Sequence, residues 1–128
     1  MKIYFAHPVT DYGTERESEA VASIEAEGWI VENPNKPHHQ QGYNEEGMTY
    51  FERLATSCGA LVFMRFPNGA IGAGIGKEIN AAQGAGRPVY ELFDGELHAA
   101  YGTPTPILSV DATRALLAET RTQREQKL

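Results

Sequence analysis

Five consecutive apolar residues, Ala60-Leu61-Val62-Phe63-Met64, lead through a small-residue turn into Ala73-Gly74-Ile75-Gly76-Lys77-Glu78-Ile79-Asn80-Ala81-Ala82. A strand that is apolar at nearly every position needs cover on both faces and belongs in the middle of a sheet. The helix that follows it is the element that supplies such cover in α/β proteins. The chain repeats this pattern. Lys2 to His7 reads as a buried strand ended by Pro8. Thr14 to Glu27 reads as a helix, with Ala20, Val21, Ile24 and Ala26 at helical spacing and Gly28 as its stop. Trp29 to Val31 is a second strand, closed by Asn33-Pro34. Met48 to Ser57 is a helix with Met48, Phe51, Leu54 and Ala55 on one face.

Ala60 to Phe66 is the third strand, and Pro67-Asn68-Gly69 a turn. Gly74 to Ala85 is a helix stopped by Gly86, and Pro88 to Phe93 the fourth strand. Ile107 to Val110 is expected as a short fifth strand. Asp111 then caps a helix from Ala112 to Gln123, and Arg124 to Leu128 is expected to fray. Such alternation predicts parallel strands joined by right-handed helical crossovers. The expected fold is a single small doubly wound α/β domain over residues 1–128, Rossmann- or flavodoxin-like, with a parallel sheet of four to five strands flanked by helices.

In that architecture ligands sit beyond the carboxyl ends of the strands. Three segments should meet there: Ala6 to Val9, the loop from Asn33 to Gly47, and Arg65 through Glu78. The stretch from Glu32 to Gly47 reads as a long connection, and long connections are often functional lids. It carries His38, His39 and Tyr43.

The 128 residues carry a formal charge of −6, which argues against a nucleic-acid polymer as partner. The one cysteine, Cys58, cannot form an intrachain disulfide and reads as a small core residue. No apolar run approaches the ~20 residues of a membrane span. These features predict a cytoplasmic protein with no membrane partner.

Gly72-Ala73-Gly74-Ile75-Gly76 is not a dinucleotide fingerprint, because it follows the third strand and not the first. It is not a P-loop either, since Lys77 is followed by Glu78. A helix start with bare glycines and one acid is nevertheless suited to holding a small polar ligand.

The order Gly74-Ile75-Gly76-Lys77-Glu78-Ile79-Asn80-Ala81-Ala82, then Gly86-Arg87-Pro88-Val89, resembles the pattern of the nucleoside 2-deoxyribosyltransferase-like family. The opening Ile3-Tyr4-Phe5-Ala6-His7-Pro8 is similar to that family's first strand, and the segment Phe51 to Met64 also fits. The likeness covers about residues 1–93. It implies that Glu78 is a catalytic nucleophile attacking the anomeric carbon of a nucleoside or nucleotide, with water or a second base resolving a glycosyl ester. A carboxylate suits that chemistry, and a helix start is expected to keep it ionised near neutral pH. The sequence departs from the family at His7, where a glycine is usual. It departs also at Cys58-Gly59 and Gly72, where acids are usual. These departures favour hydrolysis, a different substrate or a binding role over base exchange.

Around Glu78, the expected substrate-binding residues are Tyr4, Ala6, His7, Pro8, His39, Met48, Arg65, Gly74 and Gly76. His7 is expected to donate to substrate or to act as acid toward the leaving base. Arg65 is expected to pair with a phosphate, and the Gly74 and Gly76 N–H groups to hold a phosphate or ribose oxygen. Tyr4 or Tyr43 is placed to stack on a base. His38 and His39 do not read as a metal pair, since adjacent side chains are expected to point apart. No metal and no cofactor are expected. The predicted activity is N-glycosidic cleavage or base exchange. The alternative is a non-catalytic nucleotide-binding module that senses or sequesters its ligand. In either case the partner is a small nucleoside or nucleotide, and a homodimer or larger homo-oligomer is expected.

Overall fold

The computed structural model describes residues 1–127. Five strands form one sheet: β1 (Lys2–Ala6), β2 (Ile30–Glu32), β3 (Ala60–Phe63), β4 (Val89–Phe93) and β5 (Glu96–Ala99). Their order is β2-β1-β3-β4-β5. The first four are parallel, and β5 runs antiparallel to β4. Five α-helices accompany them: α1 (Glu15–Glu25), α2 (Pro37–Glu46), α3 (Met48–Ser57), α4 (Ala73–Gly84) and α5 (Val110–Lys127). A short 3-10 turn spans Val9–Asp11. This is the expected α/β class, in the flavodoxin-like order that places a topological switch point between β1 and β3.

The period-two alternation of the strands sorts the core into two layers. Ile3 and Phe5 of β1, with Ala60 and Val62 of β3, pack against Ala20 and Ile24 of α1. Tyr4 and Ala6 of β1, with Leu61 and Phe63, pack instead against Ala55 of α3 and Ile75, Ile79 and Ala82 of α4. Strand parity thus hands Tyr4 to α4 and its odd-numbered neighbours to α1. Among the described residues, no helix is long and apolar enough to cross a membrane.

Three expected elements differ. The fifth strand is Glu96–Ala99 and not Ile107 to Val110. It folds back through Asp94-Gly95, both at positive φ (52° and 76°), the pairing that closes two-residue hairpins. Ile107 makes only one isolated bridge, to Ile71, and its side chain packs on the α3–α4 layer. The expected lid is largely helix: Pro37 occupies the first turn of α2 and Gly47 ends it. The apolar periodicity that marks a helix is missing from α2, because it is pinned by polar and aromatic groups. His39 is buried, and Tyr43 stacks on Phe51 of α3 at 5.5 Å. Gly42 lets the two helices approach, since a Cβ there would fall 2.3 Å from the Tyr50 ring. The expected frayed tail is helical as far as Lys127, and Leu128 lies outside the described residues.

Candidate active site

The switch point between β1 and β3 opens into a cavity of about 480 Å³. Pro8 and Val9 beyond β1, and Phe66 and Gly72 beyond β3, lie at its strand side. Met48 and Phe51 of α3 form one wall, and Gly74, Ile75, Lys77 and Glu78 of α4 another. Gln40 and Tyr43 of α2 face Thr113, Arg114 and Leu117 of α5 across the opening.

Glu78 is 7 % exposed and lines this cavity. Its Oε1 accepts a hydrogen bond of 2.9 Å from the Tyr4 hydroxyl. Its Oε2 is buried and has no hydrogen-bond partner among the described residues. Burial pushes the carboxyl up to about 8, the Tyr4 hydrogen bond opposes the rise, and the charge of Glu52 adds to it. The expectation of an ionised carboxylate at neutral pH is thereby corrected. Glu78 is the sixth residue of a helix that begins at Ala73. The favourable field of a helix start fades within its first turn, so burial governs the proton. The same burial, together with the neighbouring Glu78, raises the Tyr4 phenol well above its ordinary value.

Of the expected substrate-binding residues, Tyr4, His7, Pro8, Met48 and Gly74 line the cavity with Glu78. Four others do not. Ala6 is fully buried in the layer under α3 and α4. His39 turns away to Glu32 and Tyr50. Arg65 forms a two-pronged pair with Glu91 of β4, 2.8 Å from Nε to Oε2, and lies in a separate hollow with Arg16. Gly76 faces Ile107, and its N–H already donates to the Gly72 carbonyl at 3.0 Å. No oxygen of a ligand is needed to explain that glycine: a Cβ would fall 2.7 Å from Ile107 Cγ2. Gly76→Ala tests this. Helix propensity alone would stabilise the variant by about 1 kcal/mol. Overpacking against Ile107 reverses the sign, for an expected loss of roughly 1–3 kcal/mol in chemical denaturation. A gain in stability would refute the packing role.

His7 reaches the cavity edge with its chemistry already committed. Its ring stacks on Phe5 at 4.0 Å. Nδ1 faces the Phe5 carbonyl at 3.0 Å and Nε2 the Glu17 carboxylate at 2.7 Å. Both nitrogens therefore meet acceptors, which removes His7 as acid toward a leaving base. Parity explains the outcome: His7 continues the Ile3–Phe5 side of β1, toward α1.

Several cavity residues escaped the sequence reading. Tyr12 follows the 3-10 turn and tilts against His7 at 5.0 Å. Burial raises its hydroxyl, with Glu78 and Glu17 adding to the effect. Thr113 of α5 accepts from the Ala73 N–H at 2.9 Å and so caps α4 from a distant part of the chain. Lys77 and Arg114 bring cationic groups to the wall. Val110, Thr113, Arg114 and Leu117 recur at helical spacing, a signal of one facing side. That spacing does not say what the side faces.

No family model, curated protein or solved structure matches this chain.

Proposed function

We propose that the protein cleaves the N-glycosidic bond of a nucleoside or nucleotide, with Glu78 as the attacking carboxylate. The observation that carries the reading is the state of that carboxyl. One oxygen is held by Tyr4, the other lacks a protein partner, and the residue lines a cavity at the sheet's switch point. A bond forms from the Glu78 carboxylate to C1′ while the C1′–N bond breaks. The electron pair leaves on the base, which takes a proton from water. Water then attacks C1′, its proton passing to the hydroxide left by the first step, which releases the sugar and restores the carboxylate. Tyr4 holds the nucleophile in place and stabilises its charge. Lys77 and Arg114 suit an anionic group such as a 5′-phosphate, the role first expected of Arg65. The first-turn N–H of Gly74 has no intrahelical acceptor and supplies a further donor. The resemblance to nucleoside 2-deoxyribosyltransferases supports the same chemistry, together with a homodimeric or larger assembly. A cytoplasmic setting agrees with the lone buried Cys58.

One observation favours the non-catalytic alternative. A carboxyl that keeps its proton to about pH 8 is at neutral pH a hydrogen-bond donor toward a ligand rather than a nucleophile. Incubation with a panel of nucleosides and 2′-deoxynucleoside 5′-monophosphates across a pH series that extends above the value of about 8 to which burial pushes Glu78, with chromatographic detection of free base, separates the two. Release of base from at least one member is expected. Thermal stabilisation by a nucleotide without release, at high enzyme concentration, would establish binding in place of chemistry.

A further inference from the structure

We propose that Glu32, His38 and His39 form a binding site for a divalent transition-metal ion, zinc(II) above all, and that this ion clamps α2 to the end of β2. The three side chains each offer a ligand atom, and all of these atoms lie within 4.8 Å of one another. His39 Nε2 is 2.6 Å from Glu32 Oε1. Two imidazoles and a carboxylate are a donor set that zinc takes, with the fourth position left to water. Tetrahedral ligands at zinc's bond lengths sit roughly 3.4 Å apart, so the His39–Glu32 pair needs to open by less than an ångström. His38 is exposed and His39 buried, which leaves one side of the triad open to water.

The surroundings are built as the outer shell of such a site requires. The Tyr50 hydroxyl lies 2.5 Å from His39 Nδ1. With an ion on Nε2, the ring proton sits on Nδ1 and donates to the Tyr50 oxygen, the kind of contact that orients a ligating imidazole. Lys2 Nζ is 3.2 Å from Glu32 Oε2, the other carboxylate oxygen, and half of its side chain is exposed, free to turn to water when a cation arrives. The sequence expectation that adjacent histidines point apart describes a strand. On a helix, neighbours are turned by only about 100°, and the two rings stand 4.0 Å apart between centroids. The site is separate from Glu78. Because Gln40 and Tyr43 of α2 line the cavity, fastening α2 would steady one of its walls.

The test is calorimetric titration of the chelator-stripped protein with zinc chloride, repeated with cobalt(II) chloride to read the visible absorption of a tetrahedral ion. One ion per chain is expected, with a cobalt band and a rise in Tm on adding zinc. His38→Gln, at an exposed position, should fold normally and lower the affinity at least ~10-fold. Tyr50→Phe should lower it roughly 10-fold through the outer contact. His98→Gln, on β5, should change nothing. Equal binding by the wild type and His38→Gln would overturn the assignment, as would no heat and no cobalt band at millimolar ion. A thiolate charge-transfer band would also overturn it, by assigning the ion to Cys58.

Discussion

Glu78→Gln is expected to abolish release of free base, by roughly 10³-fold or more, and to make the protein more stable. The loss follows from removing the only group proposed to bond to C1′. The gain follows from the proton. In the folded chain the carboxyl holds its proton up to about pH 8, against 4.5 as its ordinary value. The unfolded chain therefore ionises first as pH rises, and the folded state loses stability between about 4.5 and about 8, at roughly 1.4 kcal/mol per pH unit. An amide has no such penalty and still offers Tyr4 an acceptor. The difference in Tm between the variant and the wild type should thus grow from pH 4.5 to pH 8 and then level. The wild-type kcat/KM should climb about tenfold per unit toward pH 8, since only the ionised form attacks. A profile that falls over this range would mean that the protonated carboxyl acts, and the nucleophile would be lost from the mechanism.

Glu17→Ala should cause the largest loss of stability, roughly 3–5 kcal/mol, seen as a Tm lower by about 10 °C or more. Glu17 is a buried acid of the opposite kind from Glu78. It accepts from His7 Nε2, from the Gly13 N–H at 3.1 Å and from the Asn35 amide. Burial would raise its carboxyl, yet these hydrogen bonds together outweigh burial and hold it below its ordinary value. Truncation strands the His7 imidazole, whose side chain is 0 % exposed, along with a backbone donor. Because the folded group holds its proton less tightly than the unfolded one, its stabilisation is present above pH 4.5 and disappears as pH falls through the lowered value. The gap between wild type and variant should close in acid. A variant melting within 2 °C of the wild type at pH 7, well under the ~4 °C that 1 kcal/mol moves a domain of this size, would show that this network does not brace the β1 end of the cavity.

The two glutamates show where sequence reading stops. Both are acids near the start of a helix, Glu17 between Glu15 and Glu19 and Glu78 beside Lys77, and the letters around them carry no sign for either proton. Glu17 lies where a histidine, a backbone amide and an asparagine converge from three separate segments. Glu78 lies where, among the described residues, only Tyr4 gives its carboxyl a hydrogen bond. The same divide runs through the expected site residues. Tyr4, Pro8, Met48 and Gly74 were legible because they adjoin strand ends or helix starts that the apolar pattern marks. His7, Arg65, Gly76 and His39 were assigned by proximity in sequence, and each is claimed by a neighbour that proximity does not reveal: Glu17, Glu91, Ile107 and Glu32.

The alternation of apolar runs with helical spacing determined by itself that this chain forms an α/β sheet, and so that a crevice opens beyond β1 and β3. The reason is that local periodicity dictates which faces must be buried. Tertiary structure alone decided that α2 is a helix and that β5 is a hairpin return. It also brought Thr113 and Arg114 of α5 over the mouth of the cavity and placed Glu78 deep enough to keep its proton. Those outcomes depend on contacts between residues far apart in sequence, and on how much water each buried charge loses when they form.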